Sequence, residues 1–217
     1  MAQIKADKPA CDFVLVSGDI SQSCTEKSYQ LFADTMSDFN LPVFCIPGNH
    51  DDPVLLQTHF PHTPVNQISS VIMDNTLIML VNTQVKQQQY GHVNSENIKQ
   101  ICDLLNSHRD KQAIIVMHHS PLNINSEWMD KIGLDNGNEF MQAVAEHDNL
   151  KLILFGHVHQ AIDIKYKHIQ LFATPSTCYQ FKPEKADMVY DNLKPGYRFV
   201  KISPDGTIFS HIKRIAN

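Results

Sequence analysis

The sequence predicts an α/β protein of mixed sheets flanked by helices, and three observations predict it. Short, continuously apolar runs of strand length alternate with helix-length segments as far as Phe155. Beyond that point the pattern changes to antiparallel pairs separated by polar turns. The turn after each of four apolar runs carries Asp, Asn or His.

Phe13-Val14-Leu15-Val16 and Val43-Phe44-Cys45-Ile46 read as strands buried on both faces. A helix lies between them. Ser23-Cys24-Thr25-Glu26 fits a capping box, Tyr29, Phe32, Ala33 and Met36 follow at helical spacing, and Asn40 and Pro42 stop the pattern. The opening is therefore strand, helix, parallel strand. Val71-Ile72-Met73 and the run 76–81, joined at Asp74-Asn75, predict a hairpin. The spacing of Ile98, Ile101, Leu104 and Leu105 predicts a helix over 95–107, followed by the strand Ala113-Ile114-Ile115-Val116-Met117. A third helix near 139–147 leads to the strand Leu152-Ile153-Leu154-Phe155. Strands at 162–166, 169–174, 197–202 and 207–212 complete the chain, the last two joined by Pro204-Asp205-Gly206, where glycine supplies a positive φ. No repeat or linker interrupts the pattern, so residues 1–217 read as one domain.

Charge and cysteine usage narrow the function. A formal net charge of -5, with Lys and Arg scattered, disfavours extended binding to a nucleic-acid backbone. Cys11, Cys24, Cys45, Cys102 and Cys178 are widely spaced and form no CxxC pair, which predicts reduced, packed thiols of a cytoplasmic protein. No apolar run approaches the roughly 20 residues of a membrane span, and the first residues lack the apolar centre of a signal peptide. A cytoplasmic protein without membrane contact is expected.

The four turns carry Gly18-Asp19, Gly48-Asn49-His50-Asp51, His118-His119 and Gly156-His157-Val158-His159. Ligands of open α/β sheets bind beyond the carboxyl ends of the strands, so these turns converge on one site. Asp19 has two oxygens with which to bridge two cations about 3.5–4 Å apart, the spacing of two-metal phosphotransfer sites. Asn49 offers a carbonyl oxygen to a metal and an N–H to a phosphate. His118 and His157 complete the same cation as neutral imidazoles. In an extended segment His157 and His159 point to opposite faces, whereas a turn at Gly156 fans them toward two metals. His50 then faces the leaving oxygen as general acid, with the Asp51 carboxylate fixing its tautomer. Taken singly, Gly-Asp suits a turn or helix cap and His-His a loop. Gly-Asn-His-Asp is more specific, because a turn ending a strand has no folding reason for three successive polar residues. The four together point to metal-assisted chemistry on a phosphate.

This series resembles the calcineurin-like metallophosphoesterase superfamily. Gly18-Asp19-Ile20-Ser21-Gln22, Pro47-Gly48-Asn49-His50-Asp51, His118-His119-Ser120-Pro121-Leu122, Trp128-Met129-Asp130 with Leu134 and Asn136, and Gly156-His157-Val158-His159-Gln160 carry the resemblance. Ala173-Thr174-Pro175-Ser176-Thr177-Cys178 with Gln180-Phe181-Lys182-Pro183 narrows it to the bacterial class III 3',5'-cyclic AMP phosphodiesterases of CpdA type. The resemblance implies an α/β/β/α sandwich of two mixed sheets flanked by helices. It implies Asp19 as bridging ligand, Asn49, His118 and His157 at the second metal, and His159 at the first. Asp19, Asn49, His50 and His159 would contact the phosphate of a cyclic nucleotide. Iron with manganese, or two manganese ions, is the implied metal content.

The family also begins with an apolar strand ending in Asp-x-His, to which nothing here corresponds. Residues 1–8 resemble the end of the helix after that strand, so a chain lacking the first strand is expected, with one complete metal site and half of another. Two functional classes follow: a metal-dependent phosphodiesterase converting cyclic AMP to AMP, and a non-catalytic remnant binding one metal and a nucleotide. A third reading keeps the enzyme but changes its substrate to another phosphodiester or a phosphomonoester. Trp128, Asn136 and the stretch 176–183 suit a nucleotide pocket and structural loops equally.

Overall fold

The computed structural model describes residues 11–66 and 68–215. The expectations for residues 1–8 lie outside this range. Four layers follow from the alternation of side chains along the strands. At the centre is a six-stranded sheet of β3 (Ile68–Met73), β4 (Thr76–Val81), β5 (Gln112–Met117), β6 (Leu150–Phe155), β8 (Ile169–Ala173) and β7 (Ile162–Tyr166), in that spatial order. The pairs β4–β5, β5–β6 and β6–β8 are parallel, and the outer pairs are antiparallel. The sheet is mixed, as expected.

Residues 77, 79 and 81 of β4 and 113, 115 and 117 of β5 join a core shared with α3 (Ser95–Ser107) and α5 (Gly137–Val144). Their neighbours Ile78, Leu80, Ile114 and Val116 face the other way, into a core with Phe44, Leu15, Val200 and Ile208. That second β layer contains two ladders: β1 (Val14–Val16) parallel to β2 (Val43–Cys45), and β11 (Gly196–Ile202) antiparallel to β12 (Ile208–Arg214). Outside it, α1 (Glu26–Ser37) and α2 (Pro53–His59) bury Tyr29, Met36 and Leu56 against Cys45. Period-two burial on both faces explains why these strands read as unbroken apolar runs. Each fully buried Leu or Ile contributes about 2 kcal/mol.

Helix α3 has the expected bounds and buries Ile98, Ile101 and Leu105, with Leu104 packed at the edge of the same core. Helix α5 starts and ends earlier than expected. The cap of α1 is Thr25, not Ser23: Thr25 Oγ1 accepts from the Ser28 N–H, and Ser28 Oγ accepts from the Thr25 N–H. Cys24 has φ 48, which reverses the chain after Ser23 and prevents an earlier start. Four short elements escaped the sequence pattern: α2, α4 (Glu127–Asp130), β9 (Gln180–Phe181) and β10 (Tyr190–Asp191). The five cysteines are free thiols; Cys45 is buried, but Cys178 is exposed rather than packed. Among the described residues no helix is long and apolar enough to cross a membrane.

Candidate metal centre

Asp19 follows β1, Asn49 and His50 follow β2, His118 follows β5, and His157 follows β6. All lie at the carboxyl ends of parallel strands, as the motif order requires. Two glycines let the β1 and β2 turns meet. Gly18 has φ 93, and a Cβ there would stand 2.5 Å from His118 Nδ1; a Cβ on Gly48 would collide with the Asp19 carboxylate.

The geometry centres on His118. Its Nδ1 donates to the Ser17 carbonyl at 2.6 Å, which leaves the Nε2 lone pair facing inward in the neutral ring. Asp19 Oδ2, Asn49 Oδ1 and His157 Nδ1 each stand 3.2 Å from that Nε2. Four oxygen and nitrogen acceptors facing one another need a cation or a proton between them. Ligand atoms held about 2.1 Å from one cation stand roughly 3.0–3.4 Å apart, so the spacing fits a divalent ion. Asn49 contributes without adding charge, and Asp19 and the two imidazoles suit iron, manganese or zinc by donor type.

The electrostatics suit the same role. Burial pushes the Asp19 carboxyl up, but without metal a proton on His118 Nε2 takes the cation's place, and its charge and hydrogen bond, with that of the His50 N–H, outweigh burial and hold Asp19 well below the usual carboxylate range. Burial lowers His118, yet Asp19 more than offsets this and raises it. Burial, reinforced by His118, lowers His157 to about 3, so this ring stays neutral with its lone pair available. His119 is different. Its Nδ1 meets Thr83 Oγ1 at 2.7 Å and its Nε2 meets the Gln89 carbonyl at 3.1 Å. Although it lies with His118 and His157 in one buried cluster, both its nitrogens are occupied. Its neighbours leave no lone pair for a metal.

His157 and His159 both have positive φ, 63° and 50°, and Val158 between them is buried. These left-handed turns replace strand alternation and send the two imidazoles to separate partners. His157 joins His118. His159 directs Nδ1 to the Tyr179 carbonyl at 3.0 Å, leaving Nε2 free, and its ring stacks on Phe181. A cavity of about 460 Å³ lies beyond His157, bounded by Ser120, Met129, Asp130 and Asp135.

One expectation fails. Asp51 does not fix the His50 tautomer. Its carboxylate is buried and accepts from the backbone N–H groups of Ile20, Ser21 and Gly48 and from the Tyr29 hydroxyl. Gln22 takes the expected role instead: Gln22 Nε2 donates to His50 Nδ1 at 3.0 Å, leaving the ring proton on exposed Nε2. Sequence reasoning also missed Gln84, whose amide bridges the carbonyls of Gly48 and Asp51 and secures the β2 turn. Neither glutamine stands in a spacing that advertises such a contact.

The calcineurin-like phosphoesterase family matches residues 1–161, most of this chain. The chain belongs to that family. Within this phosphoesterase family, it is 32% identical over 216 residues to the 3',5'-cyclic adenosine monophosphate phosphodiesterase CpdA of Haemophilus influenzae, covering 99% of this chain and 79% of that one. It is 28% identical to the enzyme of the same name from Escherichia coli K12, covering 95% of this chain and 75% of its relative. Among solved structures, a dimetal phosphatase from Danio rerio superposes with a TM-score of 0.65 at 10% identity, covering 80% of this chain and 74% of the other. That likeness shows the fold. Phosphoesterases of this family use divalent metals, and the four-acceptor cluster around His118 is where this one presents suitable donors.

Proposed function

We propose that this phosphoesterase hydrolyses 3',5'-cyclic AMP to AMP in a single domain spanning residues 1–217. The observation that carries the reading is the convergence of Asp19, Asn49 and His157 on His118 Nε2, each at 3.2 Å, with the His50 backbone N–H donating to Asp19 Oδ1. The names of the relatives supply the substrate.

Asp19, Asn49, His118 and His157 would hold one divalent ion, and Asp19 and His159 would supply only half the ligands of a second; iron, manganese or both suit these donors. Bound metal supplies positive charge against the phosphate and lowers the pKa of an attacking water. The residues of the chain do the rest. The Asn49 amide N–H and His159 orient the phosphate with its leaving ribose oxygen toward His50. Water attacks phosphorus in line, and as the bond to the leaving oxygen breaks, His50 Nε2 gives that oxygen its proton. The proton given up is that of the imidazolium, which returns to the neutral ring, and Gln22, seated on Nδ1, orients the ring with Nε2 toward the leaving oxygen, its amide turning Oε1 to the Nδ1–H. The excess of acidic side chains supports a small anionic substrate held by metal rather than a nucleic acid held by lysines. Free thiols support a reducing cytoplasm.

The test is metal content and AMP formation with manganese supplied. His50→Ala is expected to lower turnover about 10²–10⁴-fold with bound metal unchanged. Gln22→Ala is expected to lower it about ten-fold. Metal bound with no AMP formed would overturn the hydrolase reading and support the binding-only one. Hydrolysis of bis(p-nitrophenyl) phosphate without cyclic AMP turnover would move the substrate to another phosphodiester.

A further inference from the structure

The chemistry above leaves one rim of the site unused, beside His159. Strands β9 and β10 pair antiparallel, setting Phe181 opposite Tyr190. From His159 an unbroken series of rings runs outward. The His159 and Phe181 rings are stacked, with centroids 4.7 Å and planes 19° apart, and Tyr179 lies 4.8 Å from His159. Tyr179 meets Tyr190 edge to face at 5.2 Å, and Phe181 lies 5.7 Å from Tyr190. Burial falls along the series: Phe181 is 7% exposed, Tyr179 43% and Tyr190 57%. The inner ring belongs to the core, and the outer two present open π-surface. The Tyr179 carbonyl accepts from His159 Nδ1, which ties the outer rings to the centre.

We propose that Tyr179 and Tyr190 form the subsite for the purine base of the cyclic nucleotide, which stacks on their exposed rings. The inference rests on the phosphodiesterase reading of the same site. His159, which Tyr179 adjoins, sets this rim next to the phosphate it would contact, within reach of the attached nucleoside. The base is a flat π-system that gains by stacking on aromatic side chains, and tyrosine adds a hydroxyl for polar contact. The cavity beyond His157 suits a tethered nucleotide poorly. Its lining includes Asp130 and Asp135 and no Lys or Arg, and it meets the centre at a ring already enclosed by His118 and His119.

The experiment compares AMP with ribose 5-phosphate, which shares the phosphate and sugar but lacks the base, by titration calorimetry on the manganese-supplied protein. AMP is expected to bind about ten-fold more tightly. Tyr179→Ala and Tyr190→Ala are expected to remove that difference while sparing ribose 5-phosphate, and Tyr190→Trp to keep it. Equal affinity of the unaltered protein for both ligands would overturn the subsite. Equal weakening of both ligands in the alanine variants would also overturn it, because it assigns the rings a structural role. So would unchanged AMP affinity in Tyr190→Ala accompanied by loss of a dimer, which assigns them to self-association. Cyclic AMP turnover with equal ligand affinities removes the subsite alone; binding of neither ligand with no turnover removes the phosphodiesterase reading as well.

Discussion

The mouth of the site around Asp19 and the floor beneath it around Asp51 are built from the same two turns, yet they treat a carboxylate in opposite ways. At the mouth, Asp19 accepts one backbone N–H, that of His50, and turns its other oxygen to His118. At the floor, Asp51 accepts from three backbone N–H groups and the Tyr29 hydroxyl. Burial pushes both up; at Asp19 the neighbouring imidazole wins and the value falls, whereas at Asp51 burial prevails over the donors and the Asp19 charge adds to it. A carboxylate has about four acceptor positions, and Asp51 spends them on the fold. Asp19 keeps an oxygen for a cation. Counting donors, rather than charge or proximity, separates the ligand from the brace.

The comparison breaks most sharply at Asp19. Asp19→Ala should weaken metal binding at least 100-fold and abolish AMP formation, with a melting temperature within a few degrees of the parent; metal analysis and calorimetry check both. Retained metal would remove Asp19 from the centre. At the floor the effect moves from chemistry to folding. Asp51→Ala leaves buried N–H groups unpaired and should cost about 3 kcal/mol, or roughly 6–12 °C in melting temperature for a chain of this size. An unchanged melting temperature would show that water replaces the carboxylate. The smallest effect is that of pH on metal-free protein. Burial holds His119 and His157 below the ordinary 6.5, the latter at about 3. The unfolded chain therefore binds protons that the folded chain refuses, and stability falls as pH drops from about 6.5 toward 3. His118, whose value is raised, acts in the opposite direction only above 6.5, where its stabilisation is lost as pH rises; below 6.5 it holds its proton in both states. The slope below 6.5 therefore comes from the depressed rings alone, up to about 1.4 kcal/mol per pH unit for each. Denaturant titrations with chelator between pH 7 and 5 would reveal it; a flat profile would mean that both rings are charged when folded.

Most of the architecture was legible because both faces of the central strands are covered, so their sequence is continuously apolar. Helix α3 was readable to the residue for a related reason: one face of Ile and Leu meets the sheet and nothing competes at its ends. Helix α2 was not, because only Leu56 is buried and its start signal, Asp52 before Pro53, is the tail of a polar run already assigned to chemistry. Strands β9 and β10 have two residues each, too few to display a period. In the site, Asp19, Asn49, His118 and His157 could be grouped from motif and strand order alone, because topology brings together the ends of parallel strands. The swap of Asp51 for Gln22 beside His50 was not legible. Adjacency in sequence favoured Asp51, but residues next to each other in a turn seldom face the same way, and Gln22 arrives from the β1 turn.

The left-handed backbone at Asp19, His157 and His159 bears on how the protein can be improved. For a residue with a Cβ that conformation costs about 1 kcal/mol, although Asp and His tolerate it better than most. Glycine occupies it with little penalty. Selection for heat resistance alone would therefore favour glycine at the positions whose side chains do the chemistry, and a library screened only for survival on heating would enrich well-folded, inert proteins. Any stabilisation campaign on this chain should hold these three positions fixed and take its gains from the helices on the far side of the sheet.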